Sequence, residues 1–272
     1  MSQAPPSDQQ AKTPSCPQGE PPLDRRGFLR TCGCFAAPIL LGTIRLPGAL
    51  GATQAGSGTQ EEGRLYGMGV NIDQCIGCGR CATACKTEND VPDDPHFFNT
   101  WVERYMIFED GEVEVDSPNG GIDGFPPLER GGRTELRSFF VPKLCNHCDK
   151  APCVQVCPVG ATFMTEDGVV LVDEDYCIGC RYCIQACPYG ARWMHPEKHV
   201  ASKCTFCFHR LQEGLLPACV EVCPTGARVF GDVDSRAGPL TRFRRLNDIQ
   251  VLKSHLNTEP KVYYAHLDGE VR

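Results

Sequence analysis

Apolar and polar positions alternate along this chain only in short runs. Trp101–Phe108 and Glu112–Asp116 alternate on either side of Glu109-Asp110-Gly111. An Asp-Gly pair between two such runs predicts a β-hairpin. Tyr66–Ile72, Thr134–Leu144, Gly168–Val172 after an Asp167-Gly168 turn, and Lys261–Leu267 each read as one strand. A helical period runs over Leu240–Leu256. Residues 56–65 read as a Gly/Ser/Gln/Glu linker and 117–133 as a Gly/Pro-rich loop. With 28 glycines and 22 prolines in 272 residues, short strands joined by turns fit better than long helices or one large sheet.

The cysteines give these elements a repeat. Sixteen of the nineteen fall into four groups. The first is Cys75-x2-Cys78-x2-Cys81-x3-Cys85, followed by Lys86. The second is Cys145-x2-Cys148-x4-Cys153-x3-Cys157-Pro158. The third is Cys177-x2-Cys180-x2-Cys183-x3-Cys187-Pro188, and the fourth is Cys204-x2-Cys207-x11-Cys219-x3-Cys223-Pro224. Leu171 and Val172 lead into Cys177 much as Val70 and Ile72 lead into Cys75. Three groups are followed by similar turns, Pro158-Val-Gly-Ala161, Pro188-Tyr-Gly-Ala191 and Pro224-Thr-Gly-Ala227. The 59 residues 86–144 form an insertion between the first two groups.

Clustered cysteines point to metal rather than to a disulfide framework, in which cysteines scatter along short secreted chains. Zinc also takes Cys-x2-Cys pairs. It does not require three cysteines within seven residues and a fourth four positions on, which is the bacterial ferredoxin run. In that run three thiolates hold one cubane and the fourth reaches a neighbouring cluster. The fourth cysteine is expected to begin a helix, with the following proline fixing the exit of the chain. A radical enzyme built on Cys-x3-Cys-x2-Cys is excluded, because positions 88, 160, 190 and 226 hold Glu or Gly.

Charge divides the chain unevenly. The formal net charge is −7, but residues 1–55 hold five basic against three acidic residues, leaving about −9 on the remainder. An acidic body argues against a nucleic-acid partner. The basic segment contains Asp24-Arg25-Arg26-Gly27-Phe28-Leu29-Arg30, which resembles a twin-arginine export signal. The apolar run Phe35–Ile44 has signal length and is too short for a bilayer, which needs about 20 residues. Cleavage is expected near 51–55, after Gly51 or Ala55, with periplasmic delivery. Cys16, Cys32 and Cys34 lack ligand spacing and read as bystanders. Arg30 makes Leu29-Arg30-Thr31-Cys32 a poor lipid-attachment site. No membrane-spanning segment follows the signal, so anchoring would come from a partner.

Cys145-Asn-His-Cys148, Ala151-Pro-Cys153-Val154, Lys203-Cys-Thr-Phe-Cys207 and Pro217-Ala-Cys219-Val-Glu-Val-Cys223-Pro-Thr-Gly-Ala-Arg228 extend the likeness. Over residues 66–231 the chain resembles the four-cluster electron-transfer subunits of molybdopterin oxidoreductases and related membrane complexes. The resemblance implies an α+β fold of two interleaved ferredoxin-like modules, with a β-hairpin insertion and a helix/strand tail at 232–272 expected to contact a partner. It implies four 4Fe–4S clusters. The first would be held by Cys75, Cys78, Cys81 and Cys223, and the second by Cys204, Cys207, Cys219 and Cys85. Cys145, Cys148, Cys153 and Cys187 would hold the third; Cys177, Cys180, Cys183 and Cys157 the fourth. It also implies a catalytic partner subunit at one end and a quinone-reacting integral-membrane subunit at the other. A freestanding polyferredoxin is the alternative, although it would not need the insertion or the tail.

His147, Lys203 and Arg181 sit inside or beside the ligand runs, where they would either bond cluster sulfurs and tune potentials or serve only as packing and surface charge. Trp101, Trp193 and Tyr189 read as packing residues, and His195, His199 and His209 as structural or surface groups. No nucleophile–base pair or phosphate loop is present, so the chain is read as having no substrate site of its own.

Overall fold

A computed structural model describes residues 64–127 and 132–271. The twin-arginine motif, the apolar run, both cleavage positions, Cys16, Cys32, Cys34 and most of the linker lie outside the described residues.

The main sheet is built on β1 (Tyr66–Asn71). It pairs antiparallel with β9 (Arg228–Asp232), Met68 opposite Phe230. On its other side it runs parallel to β11 (Val262–Ala265), Met68 opposite Val262. A short edge strand, β10 (Ile249–Gln250), completes the order β10-β11-β1-β9. Alternation along β1 sets its two faces. Met68 and Val70 are fully buried in the largest apolar core, with Phe206, Phe230 and Tyr264. Gly67 and Gly69 face helix Pro239–Leu246: a Cβ on Gly69 would stand 2.5 Å from the Phe243 ring. Two glycines thus let Leu240 and Phe243 lie flat against the strand.

That helix has eight residues, and the helix expected over Leu240–Leu256 is corrected accordingly. Asn247 turns extended, at φ −125° and ψ 155°, and its Nδ2 donates to the Phe243 carbonyl. Asn247 and Asp248 are weak helix formers, and Ile249 gains more by pairing with β11. Only a single 3₁₀ turn, Ser254–Leu256, follows. The last strand is also shorter than Lys261–Leu267. The expected boundary at 231/232 does not appear, because β9 runs through it and β11 is integral to the sheet. Lys261 N–H donates to the Asn146 carbonyl and Asp149 N–H to the Glu259 carbonyl, tying the tail to the second cysteine loop.

The insertion forms its own sheet of β2 (Thr100–Phe108), β3 (Val113–Asp116) and β4 (Glu135–Leu144), in the order β3-β2-β4. This is the expected hairpin with Thr134–Leu144 added as its third strand. The expected loop 117–133 contains a 3₁₀ turn at Pro118–Gly121. Arg104 and Asp116 face each other across the hairpin and pair twice, Nε to Oδ1 at 2.8 Å and Nη2 to Oδ2 at 2.6 Å. Arg104 also donates to the Pro126 carbonyl. Asp116→Ala should therefore cost about 2 kcal/mol, since it strands a largely buried guanidinium. Thermal denaturation followed by circular dichroism should show a midpoint lower by roughly 4–8 °C; an unchanged midpoint would mean that the pair contributes nothing.

Two small hairpins complete the strands. They are β5 (Thr162–Met164) with β6 (Val170–Val172), and β7 (Arg192–Met194) with β8 (Ala201–Lys203). β5, β7 and β9 each begin five residues after the fourth cysteine of a group, directly beyond the Pro-x-Gly-Ala turn.

Five short helices serve the cysteine groups: α1 (Arg80–Glu88), α2 (Pro152–Gln155), α3 (Tyr182–Gln185), α4 (Phe208–Gln212) and α5 (Ala218–Glu221). Here the third cysteine, not the fourth, opens the helix. Cys81, Cys153, Cys183 and Cys219 are each the second residue of α1, α2, α3 and α5. Proline disfavours helical backbone at the residue before it, so Cys157, Cys187 and Cys223 lie beyond the ends of their helices. Lys86 imposes no such limit, and Cys85 stays inside α1. α1 packs on α5, and α2 packs on α3. No helix among the described residues is long and apolar enough to cross a membrane.

Candidate functional site: four gatherings of thiols

The two helix pairings bring together cysteines that are far apart in sequence. Cys75, Cys78 and Cys81 line one cavity with Cys223. Cys85, Cys204, Cys207 and Cys219 line another. The Cys148 thiol is surrounded by Cys145, Cys153 and Cys187, and burial pushes its pKa up to about 12. Cys177, Cys180 and Cys183 sit on one short loop and helix start, the fourth gathering, and Cys183 and Cys177 pack against the same apolar cluster as Cys148 and Cys153, where α2 meets α3.

These gatherings are electrostatic neighbours in succession. Cys81 of the first is an electrostatic neighbour of Cys219 in the second, and Cys204 of the second of Cys145 in the third. Arg192 faces Cys153 and Cys145 of the third together with Cys183 of the fourth. Cys78 and Cys180, in the first and fourth, are exposed, each close to an exposed isoleucine, Ile76 or Ile178. All four cysteines of the second are buried.

The fourth cysteines end in nests of backbone N–H groups. Burial pushes the Cys157 thiol up, but donors at Thr162, Val159 and Ala161 outweigh it and hold the pKa below the ordinary thiol value. The Thr162 N–H lies 3.4 Å from Sγ. Cys223 is held low in the same way, by Arg228, Thr225 and Ala227. The recurring Pro-x-Gly-Ala turn is thus an anion cradle. Cys85 has no such turn; Asn89 Nδ2 stands 3.5 Å from both Cys85 Sγ and Cys207 Sγ.

These residues fit iron–sulfur clusters better than single ions. Burial, with the neighbouring cysteines, raises Cys75 to about 11 and drives Cys85 and Cys204 well above the normal thiol range. Such groups become thiolates only with a positive centre to bind. Among the described residues, no three Cys, His, Asp or Glu side chains close tightly enough to hold one metal ion. Zinc, with thiolate bonds of about 2.3 Å, demands such closure, whereas ligands of a multi-iron core stand around a gap.

The other candidates separate clearly. His147 is fully buried and stacks on Phe206, with ring centroids 3.6 Å apart. Its Nδ1 accepts the Val170 N–H, and burial holds its pKa well below the usual value; it packs and bonds no sulfur. Lys203 is also buried, which overturns the surface-charge reading. Its Nζ donates to the carbonyls of Val170 and Cys204. Arg181 is exposed, at φ 67°, and caps α3 by its backbone alone. Trp193 is buried and donates to Asn99, and Trp101 donates to Glu103. Tyr189 does more than pack: its hydroxyl bonds Thr258 and reaches toward the Cys148 thiol. His195 is buried and accepts two backbone N–H groups; His199 is exposed, and His209 pairs with Glu88 on the surface.

Sequence reasoning missed Asn89 and two arginines. Arg192 Nη2 lies 3.1 Å from Cys153 Sγ, and Arg228 Nη2 lies 3.5 Å from Cys81 Sγ. The signal was the repeated string Cys-Pro-x-Gly-Ala-Arg at 187–192 and 223–228.

Comparison with known proteins agrees with this chemistry. A family model described as a 4Fe–4S dicluster domain matches residues 136–233, and a second model with the same description matches 74–161. The chain is 44% identical over 205 residues to a tetrathionate reductase subunit from Salmonella typhimurium, covering 75% of this chain and 73% of the relative. It is 44% identical over 221 residues to a tetrathionate reductase subunit from Archaeoglobus fulgidus, covering 80% and 91%. It is 33% identical over 251 residues to the arsenate respiratory reductase iron–sulfur subunit of a Shewanella strain, covering 75% and 97%. With an α+β fold, two dicluster matches and relatives of this kind, the chain belongs to the iron–sulfur subunits of molybdopterin oxidoreductase-type complexes.

Proposed function

We propose that this chain is a four-cluster conductor, built of two interleaved ferredoxin-like modules. It would link a catalytic subunit, of molybdopterin type, to a quinone-reacting membrane subunit on the periplasmic side. The observation that carries this reading is the succession of thiol gatherings, each an electrostatic neighbour of the next, with exposed cysteines in the first and fourth. When bound, a 4Fe–4S cluster supplies one-electron uptake and release. Cys75, Cys78, Cys81 and Cys223 would hold the first, and Cys85, Cys204, Cys207 and Cys219 the second. Cys145, Cys148, Cys153 and Cys187 would hold the third, and Cys157, Cys177, Cys180 and Cys183 the fourth. The protein's own part is to fix the thiolates, exclude water from the buried second site and leave the ends open to partners. Ile76 and Ile178 are 58% and 64% exposed, and give each end an apolar contact.

Purification of the complex tests this reading. Iron and acid-labile sulfide should each correspond to four cubanes per chain, and the chain should copurify with a catalytic and a membrane subunit. Isolation as an active, soluble monomer would favour a freestanding polyferredoxin instead, and zinc without sulfide would overturn the cluster assignment. Export is the second element of the proposal, because a cofactor-loaded protein must be translocated folded. Replacing Arg25 and Arg26 together by lysine should leave the protein in the cytoplasm, as judged by cell fractionation. Unchanged periplasmic recovery would rule this route out.

A further inference from the structure

Three deeply buried cations have no carboxylate partner among the described residues. Arg228, Lys203 and Arg192 are 3%, 2% and 4% exposed. Arg228 bonds Thr100 Oγ1 at 2.8 Å and reaches Met68 Sδ and Cys81 Sγ. Among the described residues, Lys203 bonds the two carbonyls named above. Arg192 bonds Thr162 Oγ1 at 3.3 Å and Cys153 Sγ, and its Nε has no partner among the described residues. A buried charge without a counterion is costly, so each needs an anion nearby. The anions within reach are the cysteine sulfurs.

Their positions are regular. Arg228 stands between Cys81 of the first thiol gathering and Cys219 of the second. Lys203 bonds the carbonyl of Cys204, of the second, and that of Val170, which packs with Cys148 and Cys153 of the third. Arg192 stands between Cys153 of the third and Cys183 of the fourth. One cation therefore occupies each of the three junctions in a succession of four sites. Arg192 and Arg228 also hold the same place in the repeat, five residues after a fourth cysteine.

We propose that Arg228, Lys203 and Arg192 are positioning charges that raise the potentials of the two clusters flanking each junction. The proposal rests on the four-cluster reading above. Adding an electron to a cluster bound by four thiolates increases its negative charge, and a fixed cation in a low-dielectric interior favours that state. A cation between two clusters acts on both and raises both potentials. Guanidinium suits the two junctions where a forked donor meets a sulfur and a hydroxyl together.

The test is a redox titration of the whole purified complex, followed by electron paramagnetic resonance. Each signal is assigned with a Cys→Ser variant at one of the first three cysteines of its group. Arg228→Gln should shift the first and second clusters to lower potential and leave the third and fourth in place. Arg192→Gln should shift the third and fourth, and Lys203→Met the second and third. Arg228→Lys and Arg192→Lys, which keep the charge, should restore most of each shift. Unchanged potentials in variants that retain four clusters, or equal shifts at all four, would overturn the proposal. If one variant loses iron, the other two junctions still decide the matter. Iron and sulfide counts on the unmodified complex test the four-cluster reading separately: a shortfall there fails that reading, whereas a full complement with unmoved potentials fails only this inference.

Discussion

Replacing Cys187 by serine should remove the cluster bound by Cys145, Cys148 and Cys153, and leave intact the one bound by the neighbours of Cys187 in sequence, Cys177, Cys180 and Cys183. The reason lies in where the helix ends. Cys183 is on α3, facing inward, while Cys187 falls beyond the helix, next to Pro188. There the Cys187 thiol, raised by burial, receives N–H groups from Ala191 and Tyr189 and faces Cys145. Cys148 likewise has Cys187 among its neighbours, with Cys145 and Cys153. Serine offers a hard, poorly ionised oxygen where the iron needs a soft thiolate. The expected result is a loss of iron and sulfide equal to about one cluster, with one paramagnetic signal missing. Cys157→Ser should have the reciprocal effect, removing the cluster of Cys177, Cys180 and Cys183. If Cys187→Ser instead abolishes the same signal as Cys180→Ser, the exchange of fourth ligands is wrong and each group is self-contained.

Cysteine spacing made this chemistry legible because the spacing is itself the geometry. Three thiols in seven residues can only surround something small, and the strands that deliver them show as short alternations. The errors arose where a neighbouring element overrides local preference. Leu240–Leu256 has a helical period, yet the sheet takes Ile249 and Gln250 for its edge. Cys157, Cys187 and Cys223 suit the start of a helix by position, but the Pro-x-Gly-Ala turn after each one leads straight into β5, β7 or β9. The arginines were hidden for another reason. Alone, Arg192 and Arg228 resemble any charged residue at a strand start; only burial beside Cys153 and Cys81 gives them a role. Lys203 was visible as a neighbour of Cys204, but not as a cation with no access to water.

Gly79 and Arg181 allow a controlled comparison between repeats. Both follow the second cysteine of their group, both stand at φ +67°, and both cap the helix carrying the third cysteine. Left-handed backbone costs a non-glycine residue roughly 1–2 kcal/mol, and the third group tolerates that cost at Arg181, which points to solvent. The first group differs because the insertion lies over it. A Cβ on Gly79 would stand 2.2 Å from the Gly121 carbonyl oxygen and 2.9 Å from Ile122 Cα, both backbone atoms that no rotamer change can move. Gly79→Ala should therefore combine left-handed strain with overpacking of about 1–3 kcal/mol. The total, about 3 kcal/mol, corresponds to a midpoint lower by roughly 6–12 °C. Because the clash falls between Cys78 and Cys81, the cluster at that end should be the first to lose iron on heating, followed by its visible absorbance and paramagnetic signal. Arg181→Gly is the counterpart. It removes the same backbone strain without opening a contact, and its midpoint should stay within about 2–4 °C of the parent protein. If Gly79→Ala and Arg181→Gly prove equally mild, the insertion is only draped over the first cysteine loop. If Gly79→Ala alone costs the first cluster, residues 118–122 are part of the wall that holds it, and the 86–144 insertion belongs to the conductor itself.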